Sequence, residues 1–208
     1  MENTAMENTR TKTTRNSLIL LLTAAIWGMA FVSQSKGMDY MHPFTFNGVR
    51  SLIGAASILV YILISRKIAG DKAAPLDWKL NVKAGLLCGI FLTIASTLQQ
   101  FGIKYTSVGK AGFITTLYII FVPMFGIFLK KKVAPVVWAA AVMAAVGMYL
   151  LCMTESLRLG AGDIMVFLCA IAFAIQIMTV DHYAARIDGA VVSCIQFTVC
   201  GVVCCIGA

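Results

Sequence analysis

Residues 85–123 read GLLCGIFLTIASTLQQFGIKYTSVGKAGFITTLYIIFVP. Two apolar runs, 85–101 and 111–129, are joined by a short polar link around Lys104, Ser107 and Lys110. About 20 mostly apolar residues are enough to cross a ~30 Å hydrocarbon layer as a helix. The first run carries a stripe of small and polar residues: Gly85, Gly89, Thr93, Ser96 with Thr97, and Gln100, with Gln99 beside it. Steps of three and four residues put this stripe on one helix face. The second run opens at Gly112, carries Thr115, Thr116 and Tyr118, and holds Pro123. Lipid offers amides and hydroxyls no partner, so this face looks onto protein or a wet cavity.

Composition extends the reading to the whole chain. Of 208 residues, 60% are hydrophobic and 12% charged, with mean hydropathy +0.86. A soluble domain carries about 25% charged residues. The expected fold is an all-α membrane protein with seven transmembrane helices, over residues 18–32, 44–65, 85–101, 111–129, 133–153, 163–180 and 190–208. A net charge of +8 fits Lys and Arg gathered in cytoplasmic loops better than a nucleic-acid partner. The expected partners are the lipid bilayer and a small-molecule solute. The seven cysteines, Cys88, Cys152, Cys169, Cys194, Cys200, Cys204 and Cys205, lie in or at the ends of apolar runs without a CxxC pair. They read as small packing residues, and no metal site is expected.

Residues 1–17 read as a disordered cytoplasmic tail, with MENT repeated. Arg10, Lys12 and Arg15 precede the first apolar run, as in a signal peptide, but no small-x-small cleavage site closes it. A retained first helix is expected. It carries Trp27, with Ala24 and Gly28 spaced for close helix contact. Pro43 opens the second span, where Asn47 and Arg50 share a face. Arg50 is read either as an arginine snorkelling to the interface or as a buried anchor or solute contact. Trp78 reads as an interfacial residue. Ala141 and Ala145 give the fifth span a small packing face. Asp163 suits the start of the sixth, which contains Gln176, and Gln196 lies in the seventh.

With the N-terminus inside, twelve Lys and Arg fall on the inner side: Arg10, Lys12, Arg15, Arg66, Lys67, Lys72, Lys79, Lys83, Lys130, Lys131, Lys132 and Arg186. Four fall outside: Lys36, Lys104, Lys110 and Arg158. This asymmetry implies a cytoplasmic N-terminus, and the expected location is the plasma membrane. Lys104 and Lys110 read either as solvated loop residues or as an electropositive mouth. An offset of 146 residues lays the first helix on the sixth, Asn47 on Ser193 and Arg50 on Gln196. A repeat of five spans must re-enter the membrane upside down.

Ala25-Ile26-Trp27-Gly28-Met29-Ala30-Phe31 and Pro43-Phe44-Thr45-Phe46-Asn47-Gly48-Val49-Arg50 resemble the opening of an EamA-type transporter of the drug/metabolite transporter superfamily. Leu98-Gln99-Gln100-Phe101-Gly102, the run from Gly109 to Thr115, Val122-Pro123, Gly162-Asp163 and Gln196 extend the resemblance over 18–208. It implies a ten-helix bundle of two inverted five-helix repeats, many such carriers exporting amino acids or other metabolites. Residues 18–153 would form the first repeat and 163–208 an incomplete second. Helices eight to ten have no counterpart, so this chain is expected to be a fragment, or to need a partner such as a second copy forming a homodimer.

No HExxH, GxSxG, DxD or phosphate-binding glycine loop is present, and no catalytic residue or cofactor is expected. Acidic residues lie in the tail, the loops or at helix ends. The remaining polar inventory suits hydrogen-bonded recognition of a polar or zwitterionic solute between apolar walls. Candidate pathway residues are Trp27, Asn47, Arg50, Thr93, Gln99, Gln100, Thr115, Thr116, Tyr118, Gln176 and Gln196. The expected function is export of a small polar metabolite such as an amino acid. The alternative is a non-transporting membrane scaffold or receptor.

Overall fold

A computed structural model describes residues 2–70, 76–128, 134–152 and 160–208. The elements, in order, are α1 (Glu2–Gly37), α2 (Pro43–Ala69), α3 (Trp78–Tyr105), α4 (Val108–Thr116), α5 (Tyr118–Phe128), α6 (Pro135–Cys152), α7 (Ala161–Tyr183) and α8 (Gly189–Ile206). There is no strand among the described residues. Six helical segments are long and apolar enough to span a membrane, with α4 and α5 counting as one. A seventh, α6, has a shorter apolar part, Pro135–Gly147. The all-α membrane fold is thus as expected. The backbone of residues 2–17 is helical where a disordered tail was expected. Helix nucleation is costly and propagation cheap, so the adjoining span extends into this polar segment. Lys130, Lys131, Lys132 and Arg158 lie outside the described residues.

Helix ends follow local chemistry. Pro43 sits at the first turn of α2, where its missing N–H costs nothing. Gly70 closes α2 with φ 51°, a left-handed conformation that glycine adopts without a Cβ penalty. Asp77 caps α3 through Leu80 N–H, Ser107 caps α4 through Lys110 N–H, and Asp188 caps α8 through Ala190 N–H. The span 108–128 breaks at Leu117. There the Thr116 hydroxyl bonds back to Gly112 O, Leu117 N–H turns to Ile114 O, and Pro123 withholds a further donor.

The core lies where α3 packs against α7 and α8, and α2 against α8. The stripe on α3 proves to be largely an interface with α8. A Cβ on Gly85 would stand 2.7 Å from Ile195, and one on Gly89 2.8 Å from Val199. Ser96 Oγ and Thr97 Oγ1 lie 3.4 and 3.8 Å from the sulfurs of Cys200 and Cys204. Small residues let helix backbones approach closely in lipid, where van der Waals packing replaces the hydrophobic effect. Cys88, Cys169, Cys200 and Cys204 are buried in these interfaces. Ala141 of α6 is buried against α4 and α5, as its spacing suggests. Gly28, in contrast, meets nothing within 4 Å, because residues 16–29 of α1 are exposed and the described contacts of α1 with α3 and α4 lie near its C-terminal end.

Contacts sort the loops into two ends. Arg66 Nη2 lies 3.8 Å from Asp188 Oδ2, placing the end of α2 beside the start of α8. Phe44 meets both Phe101 and the Gly207 end of α8 at the opposite end. Gly162 at the start of α7 meets Gly102 and Tyr105 near the end of α3. Hence α2 and α8 run antiparallel, and α1 ends on the side where α7 begins. The end holding Phe44, Phe101 and Gly162 is called the Phe101 end below, the other the Asp188 end.

Candidate functional site

The polar side chains expected to border a pathway fall into separate groups. On α3 and α4, Gln99 Nε2 donates to Thr115 Oγ1 at 3.3 Å, and both residues are buried. Gln176 Nε2 on α7 donates to Gln196 Oε1 on α8 at 3.1 Å. Gln196 lies against Gly89 of α3, ten residues before Gln99. At 1.5 Å per residue that is about 15 Å along the helix. The two glutamine-containing pairs are therefore distinct sites, one near the Phe101 end and one deep in the bundle. Thr93 turns its hydroxyl onto Gly89 O of its own helix at 2.6 Å.

Asn47 is fully buried and accepts from Arg50 Nη2 at 2.8 Å. Arg50 itself is exposed, its guanidinium 5.8 Å from the centre of the Phe46 ring. Gln100, fully buried, donates to Gln34 O at 3.4 Å and so joins α3 to α1. Trp27 stays outside all of these groups, half exposed on α1. Thr116 lines a narrow crevice against Ala141, Ala144 and Ala145 that is too small for a solute, about 10 Å³.

Tyr118 reaches open space. It lines a groove of about 550 Å³ between α5, α6 and α7, with Pro123, Met178 and Asp181. A second groove of about 550 Å³ opens between α3, α5 and α7, lined by Phe91, Phe125, Met178, His182 and Tyr183. Small-molecule sites run from ~300 to ~1,000 Å³ and are mostly apolar with a few polar groups, so both grooves are large enough. Asp181 and His182 belong to the last turn of α7, not to the following loop as expected. Local sequence marks little of either groove beyond Tyr118 and Pro123, since each is assembled from three helices. A carboxylate directly after the apolar run of α7 was the available signal.

At the Phe101 end, Lys110 Nζ lies 3.9 Å from Asp163 Oδ2. Asp163 is 3% exposed, accepts from the Thr106 hydroxyl, and takes Gly160 N–H at 2.9 Å. Lys110 is thus offset by a buried carboxylate and is not an open cationic mouth. The Asp188 end has its own network. Asn81 Oδ1 accepts Asp188 N–H at 2.9 Å, and Asn81 Nδ2 donates to Asp77 O at 2.8 Å. Asn81 and Asp163 are not among the expected pathway residues, because nothing local distinguishes a buried polar residue at a helix start from an exposed one.

Residues 15–153 match the EamA-like transporter family. An uncharacterized transporter of Archaeoglobus fulgidus is 31% identical over 171 residues, covering 79% of this chain and 48% of the relative. The chain thus spans about half the length of the curated relative it matches. No solved structure matches it. With its bundle of apolar helices and a family match over most of its length, this multi-pass membrane protein belongs to the EamA-like transporter family.

Proposed function

We propose that the chain is the solute-binding part of a plasma-membrane carrier that exports a small polar metabolite such as an amino acid. The single observation that carries this reading is the set of amides and hydroxyls paired across helices, Gln176 with Gln196 and Gln99 with Thr115, inside an otherwise apolar bundle. Polar groups inside a membrane protein are expensive and line substrate paths more often than lipid. Tyr118 and Asp181 in the adjoining groove supply polar contacts between apolar walls. With the charge asymmetry, the Asp188 end and the N-terminus are cytoplasmic.

The proposed architecture is ten helices in two inverted repeats, this chain supplying 18–153 and the opening of the second from 163. Two observations support it. The counterparts α1 and α7, and α2 and α8, run in opposite directions. In addition, α3 packs on α7 and α8. Inversion would carry α3 onto a helix packed against α1 and α2, whose outer faces are exposed.

Flux of radiolabelled amino acids in sealed proteoliposomes tests the reading. The 208-residue chain is expected to show saturable flux only when the counterparts of α3 to α6 are supplied, or when two copies close the cavity. Robust flux by a demonstrated monomer would overturn the ten-helix part. Turnover of a solute in detergent would instead reveal an enzyme. Neither flux nor turnover in the completed assembly would leave the scaffold or receptor.

A further inference from the structure

Near the Phe101 end, three buried side-chain atoms have no hydrogen-bond partner among the described residues: Gln100 Oε1, Asn47 Nδ2 and Gln34 Oε1. Gln100 and Asn47 are fully buried, and Gln34 is 5% exposed. Two of the amides are oriented by bonds they already make. Gln100 gives its Nε2 to Gln34 O, so the atom left over is an acceptor. Asn47 Oδ1 accepts from Arg50 Nη2, so the atom left over is a donor.

Helix register places Asn47 and Gln100 in one layer, and the Gln100 bond to Gln34 O brings Gln34 to its edge. Ser51 on α2 donates to Cys200 Sγ at 3.4 Å, and Ser96 Oγ on α3 lies 3.4 Å from the same sulfur. The two helices run antiparallel. One turn toward the Phe101 end from Ser51 is Asn47, and one turn in the same direction from Ser96 is Gln100. The serine–cysteine contacts close the layer below. Above it, the rings of His42 and Phe44 pack on Phe101, with centroids 5.7 and 5.2 Å apart. Beside it lies Cys204, fully buried and 3.8 Å from Thr97 Oγ1.

We propose that Asn47, Gln100 and Gln34 form an internal binding site for one small neutral group that both donates and accepts hydrogen bonds. A water molecule or the hydroxyl of a solute has that chemistry. Buried water makes about three hydrogen bonds. Here it accepts from Asn47 Nδ2 and donates to Gln100 Oε1 and Gln34 Oε1. A carboxylate would face two carbonyl oxygens, and an ammonium would leave the Asn47 donor unmet. Buried polar groups without any partner are rare in native proteins. The water form of the proposal is independent of transport, whereas the solute form rests on the transport reading.

The test uses the full chain in lipid nanodiscs, pulsed with X-rays in ¹⁸O-labelled water and analysed by mass spectrometry. Hydroxyl radicals formed from an ordered water would oxidise Cys204 despite its burial, with Cys88 as the unlabelled control. Label at Cys204 several-fold above Cys88, lost in Asn47→Leu and Gln100→Leu, is the result expected for water. Asn47→Asp keeps the Arg50 contact but removes the amide donor, and should lose the label, with the folded state checked by its melting temperature. If Cys204 is unlabelled but L-serine, unlike L-alanine, raises the melting temperature of wild type and not of Asn47→Asp, a solute hydroxyl occupies the site. The proposal is overturned if Cys204 matches Cys88 and serine has no such effect. It is equally overturned if label at Cys204 survives the Asn47 and Gln100 substitutions.

Discussion

Gly102 on α3 and Gly162 on α7 meet backbone to backbone, a Cβ on Gly162 standing 2.8 Å from Gly102 O and 2.7 Å from the Tyr105 carbonyl carbon. Neither backbone can yield without separating the helices. Gly162→Ala should therefore cost about 1–3 kcal/mol, the range for overpacking a tight site, read as a lower melting temperature in detergent. Gly28→Ala, where nothing lies within 4 Å, should leave stability unchanged or slightly raised.

Loss of one partner from the Lys110–Asp163 pair exposes the cost of a stranded charge. Removing one member of a buried pair typically costs about 3–5 kcal/mol. Asp163→Ala also releases Thr106 and Gly160 N–H, so it should lie at the upper end. Lys110, 19% exposed in its side chain, should lie at the lower end when changed to Met. Chemical denaturation in mixed micelles measures both. Equal, negligible losses would show that the pair is solvated.

At the Asp188 end the ranking should depend on burial. Asn81→Leu leaves the Asp188 N–H without its acceptor and should cost about 1–3 kcal/mol. Arg66→Gln removes an ion pair whose side chains are 37% and 40% exposed. Its effect should stay within about 0–1 kcal/mol. The same denaturation series checks the order.

For the deep amide pair, Gln176→Leu and Gln196→Leu should shift solute selectivity in the completed carrier while folded yield barely changes. Thr93→Val, Gln100→Leu and Thr116→Val form the comparison set. A double-mutant cycle returning about 0.6 kcal/mol of coupling, with flux and selectivity untouched in every variant, would make these residues helix–helix glue.

Single cysteines at positions 131 and 158 in a cysteine-free chain report orientation. An impermeant thiol reagent should label position 158 in intact cells and position 131 only after permeabilisation. The reverse pattern would turn the molecule over.

Span positions were legible in the sequence because length and hydropathy act locally. The face of Gly85, Gly89 and Thr93 was also legible, since helical periodicity determines it. What that face meets was not, because α8 arrives from more than 90 residues away. Asn47 and Arg50 were grouped from their i, i+3 spacing, and they do bond. Gln176 and Gln196 were found singly, but their pairing needs the turn through Ala184–Arg186 that folds α8 back along α7. The break at Leu117 is not legible in the sequence, because back-bonding by a threonine leaves hydropathy unchanged.

Met178 lines both grooves at the Asp188 end. The wall between them is in part a single unbranched thioether with three rotatable bonds. The width of both grooves therefore depends in part on a side-chain torsion, which changes faster than helices rock. Met178→Ala would widen both grooves at once, so the two cannot be resized independently through this residue.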